Sequence, residues 1–96
     1  MIVEIADLEI QSGQEQDFEV ALEQAKQVLT QAKGFLGIAV HRGIELPNHY
    51  LLMLKWETLE DHTIGFRESD LFTQWRALIG PFFANPPQVL HWQPKA

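Results

Sequence analysis

The side chains best suited to chemistry gather between Trp56 and Phe72, in the stretch WETLEDHTIGFRESDLF. His62 is the foremost candidate catalytic group. A neutral imidazole turned into the protein could take a proton from a bound ligand, and the ordinary imidazole pKa suits that task. The plainer alternative is a solvent-facing helix residue or a structural hydrogen-bonder, since no partner motif accompanies it. His41 is the second catalytic candidate. It alternates with Gly37 and Ala39 on one face of a strand, and those small residues leave volume for a close-packed helix or a ligand; an edge position in solvent is the other reading. His49 and His91 fall near strand ends and read as exposed polar positions. None of the four histidines shows a metal-ligand spacing, so no metal is expected.

A flat aromatic ligand could be held by Tyr50, Trp56, Phe66, Phe72, Trp75 and Phe83. Such residues also build ordinary cores or subunit interfaces, and Trp56 and Phe72 lean toward core. Tyr50 could donate a hydrogen bond to a ligand oxygen, or pack with its hydroxyl at a rim. Arg67, next to Phe66, could anchor a carboxylate or phenolate; a surface pair with Glu60, Glu68 or Asp70 is the everyday use.

These side chains need elements to position them. Residues 2 to 10 interleave apolar residues with Glu4, Asp7 and Glu9 and read as a strand. From Gln14 to Lys33 apolar residues recur at helical spacing, and Gly34 follows as a C-terminal cap. Residues 35 to 45 form a second strand, with Leu36, Ile38, Val40 and Ile44 on one face and Phe35, Gly37, Ala39, His41 and Gly43 on the other. Residues 49 to 57 form a third strand whose apolar run predicts burial on both faces. A broken helix follows. Thr58 with Asp61 suggests a capping box, Gly65 lies near the break, and Ser69 before Asp70 offers a second cap. A helix over 70–79 stops at Gly80 and Pro81, and 88–93 is a last short strand. The order βαββαβ predicts a ferredoxin-like α+β fold, with a four-stranded antiparallel sheet carrying two helices on one face.

Ninety-six residues with 46% hydrophobic content suit one domain spanning 1–96. Such a chain buries roughly 60–65% of its unfolded surface, and nothing remains to cover the second face of the sheet, so a symmetric homodimer is expected. Seven Lys and Arg against thirteen Asp and Glu give a net charge of −6, which argues against nucleic acid or an anionic membrane as partner. There is no cysteine, hence no disulfide, thiolate nucleophile or sulfur-held metal. The N-terminus MIVEIADLEI has neither a basic leader nor a continuous apolar run, and a cytoplasmic location is the default expectation.

Over essentially its whole length the chain resembles the antibiotic biosynthesis monooxygenase domain family. The resemblance rests on Gln11-Ser12-Gly13 before an acidic amphipathic helix, Gly34-Phe35 opening the second strand, Trp56-Glu57-Thr58 closing the third, and Ser69-Asp70-Leu71-Phe72 starting the last helix. It implies a dimeric α+β barrel, each subunit with a pocket between its own sheet and helices. It further implies oxidation of a small phenolic or quinol-type aromatic by molecular oxygen without a cofactor. Two departures stand out. Phe66 occupies a place where many members carry His and haem-cleaving relatives Trp, and Ala6 and Asp7 lie where those relatives use Asn, which counts against haem degradation. The Phe66 departure and the lack of an adjacent acid–base pair support the rival class, a non-catalytic dimer that binds a small metabolite or serves as an interaction module.

Overall fold

The computed structural model describes residues 1–96. Strand β1 (Ile2–Glu9), helix α1 (Glu15–Leu29), strands β2 (Phe35–Arg42) and β3 (His49–Trp56), a π-helical turn (Asp61–Phe66), helix α2 (Asp70–Ile79), a 3-10 turn (Gly80–Phe82) and strand β4 (Gln88–Trp92) follow in order. The strands form one antiparallel sheet in the order β2-β3-β1-β4. This is the ferredoxin-like α+β fold that the element order predicts.

Alternation along each strand divides the sheet into two faces. Leu8, Ala6 and Glu4 of β1 align with Tyr50, Leu52 and Leu54 of β3, and with Val89 and His91 of β4, to make the face under the helices. Phe18, Leu22, Ala25, Val28 and Leu29 of α1 and Trp75 and Ile79 of α2 close over it. Each helix therefore buries only its apolar stripe.

Several expectations are corrected here. Helix α1 stops at Leu29 rather than Lys33; single turns from Gln31 and Ala32 carry the chain to Gly34, whose φ of +80° is the conformation a side chain resists. Strand β2 carries a bulge between Phe35 and Gly37. One extra residue shifts Phe35 onto the helix-covered face with Ile38 and Val40, and leaves Leu36 exposed. The small-residue face of Gly37, Ala39 and His41 is thus the one without helices. Strand β3 is not buried on both faces, since Leu51 is 45% exposed opposite Asp7 and His41.

Between Trp56 and Phe72 the expected broken helix is present, with its first piece π-helical and its break at residues 67–69 rather than at Gly65. The Arg67 amide donates to the His62 carbonyl at 3.0 Å, a five-residue step. Thr58 accepts the Asp61 amide on its hydroxyl at 3.1 Å, which gives half of the expected capping box. Ser69 has the extended backbone of a cap residue, yet its hydroxyl donates backward to the Phe66 carbonyl at 2.6 Å and caps nothing in α2.

Candidate active site

Between the sheet and α2 lies a cavity of about 510 Å3, within the range of roughly 300–1,000 Å3 usual for small-molecule sites. Its floor is Glu4, Ala6 and Leu8 of β1 with Leu52 and Leu54 of β3; its walls are His62, Phe66 and Arg67 of the π-helical segment and Phe72, Trp75, Arg76 and Ile79 of α2. Phe83, Pro86, Pro87 and Val89 close one end. Gln11 secures that end: its amide donates to the Phe82 carbonyl at 2.9 Å and its side chain to the carbonyls of Pro81 and Phe83 at 3.2 and 3.3 Å. The proline-rich loop is therefore tied to the end of β1.

The polar end of the cavity is a chain of three titratable side chains. Glu4 is only 6% exposed because it shares the covered parity of β1 with Ala6 and Leu8. Its Oε1 accepts a hydrogen bond from the Trp56 indole N–H at 2.9 Å and stands 3.3 Å from Nε2 of His62. Nδ1 of His62 in turn lies 2.8 Å from Nε2 of His91 on β4. The π-helical turn brings His62, 3% exposed, inward with Phe66, and the imidazole stacks on Trp56 at 5.2 Å with 27° between planes. Trp56 thus fixes both partners, one through its N–H and one through its ring face.

Burial decides the charges. It pushes the Glu4 carboxyl up to about 7, against the indole hydrogen bond and the Arg67 guanidinium, which both favour the carboxylate. Burial pushes His62 down to about 4, assisted by the charges of Arg67 and His91, and lowers His91 by the same cause with Arg67 adding to it. The Glu4–His62 contact is consequently not an ion pair near neutrality. Between about pH 4 and 7 the proton resides on Glu4 and the His62 ring is neutral. The near-neutral basicity expected of His62 is overturned, and Glu4 is the group poised to exchange a proton at physiological pH.

Of the residues singled out from the sequence, His62, Phe66, Arg67, Phe72, Trp75 and Phe83 line this cavity. Three do not. His41 lies on the helix-free face beside Asp7, His49 and Leu51, because the strand parity points it away from α1 and α2. Tyr50 is buried under α1, where its hydroxyl donates to Glu19 at 2.5 Å and its ring packs edge-on to Phe18; burial and the Glu19 carboxylate hold its pKa well above the usual phenol value. Trp56 is fully buried behind the cavity, edge-on to Phe35. Arg67 makes none of the surface pairs expected with Glu60, Glu68 or Asp70.

Glu4, His91 and Arg76 are the polar site residues that the sequence reading passed over. The signal for Glu4 was its parity: an acid in register with Ala6, Leu8 and Ile10 must share their burial. His91, expected to be exposed, is half-buried on the covered parity with Val89 and faces Glu4 across the β1–β4 pairing.

The chain matches the antibiotic biosynthesis monooxygenase family over residues 1–78. It belongs to that family. Across 99% of its length it superposes with a TM-score of 0.96 on 97% of a Bordetella bronchiseptica protein of the same description, at 45% identity. YczJ of Bacillus subtilis (strain 168), an uncharacterized protein, is 42% identical over 93 residues, 97% of this chain and 98% of YczJ. A variant of SnoaB from Streptomyces nogalater, a cofactor-independent oxygenase, shares the fold at a TM-score of 0.81 with 9% identity, over 99% of this chain and 93% of SnoaB.

Proposed function

We propose that this family member is a cofactor-independent monooxygenase of a small phenolic or quinol-type aromatic, with Glu4 as the base. The observation that carries the reading is the buried Glu4 carboxyl, aligned with His62 and opening onto an aromatic-walled cavity. An acid so placed has its pKa near the operating pH, where general-base catalysis is most effective. SnoaB, a cofactor-independent oxygenase of the same fold, supports the class of reaction.

In this mechanism the ring lies against Phe66, Phe72 and Trp75 with its hydroxyl toward Glu4. Glu4 takes the proton, and Arg67, whose charge is felt by Glu4, His62 and His91 alike, stabilises the phenolate. The electron-rich anion passes one electron to oxygen, and superoxide and the substrate radical combine at carbon. The resulting peroxide recovers the proton from Glu4; loss of water leaves one oxygen atom in the product carbonyl and the other in water. The line Glu4–His62–His91, a 3.3 Å polar contact followed by a 2.8 Å hydrogen bond, gives the proton a path toward β4 by exchange of imidazole tautomers. The protein's contribution is orientation, deprotonation and exclusion of water.

A second copy of the chain is proposed to cover the helix-free sheet face, where Ile5 and Met53 lie in register with Leu90, and Trp92 is 56% exposed. The closeness of Glu4 to His62 speaks against one of the two grounds for the rival, a non-catalytic binder; the other, Phe66 in place of the family's His, stands.

The test is oxygen uptake by metal-stripped protein with hydroquinone and anthrone. We expect protein-dependent uptake whose kcat/KM rises with pH through an inflection near 7 and falls about 10²–10⁴-fold in Glu4→Gln. Uptake unchanged in Glu4→Gln refutes Glu4 as base; no uptake from folded wild type with any quinol transfers the site to the binding reading.

A further inference from the structure

The cavity is positive in a negative protein. The chain carries a net charge of −6, yet the cavity lining holds two arginines, Arg67 and Arg76, against the single acid Glu4. Burial keeps that acid largely protonated below about pH 7, so an entering ligand meets a field of the opposite sign to the surrounding surface.

The two arginines are also the ones without partners. Arg42 pairs with Glu19 and donates to the Pro47 carbonyl at 2.7 Å, whereas Arg67 and Arg76 make neither an ion pair nor a side-chain hydrogen bond. Their neighbourhoods differ. Arg67 stands at the Glu4 end, where its charge acts on Glu4, His62 and His91. Arg76 is held over the faces of Phe72 and Phe83, its guanidinium 5.9 and 5.6 Å from the ring centroids. Those two rings wall the cavity, so the fork of donors on Arg76 is braced at its edge with no protein acceptor.

We propose that the ligand of this cavity is an aromatic acid: a hydroxylated ring system whose carboxylate pairs with Arg76 while its hydroxyl reaches the Glu4 end. The proposal rests on the proposed function only in taking a hydroxylated ring as the occupant. At the Glu4 end Arg67 is engaged by the substrate hydroxyl as it ionises; at the Arg76 end a carboxylate meets a planar donor pair matched to its geometry. The hydroxyl and the acid therefore belong at opposite ends of the molecule, with the aromatic walls of Phe66, Phe72 and Trp75 between them.

Calorimetric titration in oxygen-free buffer at pH 6.5, with 6-hydroxy-2-naphthoic acid and its methyl ester, tests this without turnover. We expect the acid to bind about tenfold more tightly than the ester, Arg76→Met to abolish that preference, and Arg76→Lys to restore part of it. Equal binding of acid and ester by wild type, or a preference that survives Arg76→Met, overturns the proposal. The two readings fail separately. Selective acid binding without oxygen uptake leaves the anchor and removes the oxygenase; uptake with acidic and neutral quinols alike, without selective binding, does the reverse.

Discussion

The two helices lie on the same sheet face and do opposite things with it. Under α1, Phe18, Leu22, Ala25, Val28 and Leu29 are all buried, Phe18 meets Tyr50 edge-on at 4.9 Å, and the space is filled. Under α2 only Trp75 and Ile79 are buried, and the sheet floor opens into the cavity. The polar groups differ in the same sense. Glu19, beneath Tyr50, is about half exposed and shares its charge with Arg42; Glu4, beneath His62, is enclosed and has its pKa driven up. A small domain can thus keep a well-packed half for stability and a hollow half that leaves room for a ligand.

Truncation should expose that division most sharply. On the α1 side we expect Phe18→Ala to cost about 3–5 kcal/mol in chemical denaturation, because a filled core cannot close the void. A loss under about 1 kcal/mol would mean that this half is as loose as the other.

The next largest effect is of opposite sign. The folded pKa of Glu4 is raised from 4.5 to about 7, so the stability linked to its protonation is complete below about pH 4.5 and is lost as pH rises through 7. Glu4→Gln keeps an acceptor for the Trp56 indole and removes the buried charge. We expect the variant to be more stable than wild type by about 1–3 kcal/mol at pH 8 and indistinguishable at pH 4, read from urea midpoints. His62, lowered from 6.5 to about 4, works in the other direction, costing stability as pH falls from 6.5 to 4; in wild type the two slopes offset between about pH 4.5 and 6.5. A Glu4→Gln variant less stable than wild type at pH 8 would refute the enclosed carboxylate.

The smallest effect belongs to the cavity wall. Phe72→Ala removes a half-buried ring already facing open space, and we expect a loss of about 1–2 kcal/mol, well short of Phe18→Ala, with weakened binding of the aromatic probe. Equal losses at both positions would erase the contrast between the helices.

Much of this was readable in the residues. Alternation in β1 and β3 and the helical spacing of Phe18, Leu22, Ala25 and Leu29 determine the elements, and their order determines the ferredoxin-like topology, because each apolar stripe has one place to be buried. His62, Phe66 and Arg67 could be singled out because reactive and aromatic types crowd one short stretch. What periodicity could not supply is which face of β2 the helices cover and where the register changes: His41 lies on the uncovered face, the bulge at Leu36 brings Phe35 to the covered one, and the π-helical step aims His62 at β1 and β4. The Glu4–His62–His91 line joins residues from the first strand, the middle and the last strand, so only pairing β1 with β4 brings it into being. Its charges were equally hidden, because a carboxyl pKa near 7 and an imidazole pKa near 4 come from exclusion of water, which the fold creates and residue types alone do not.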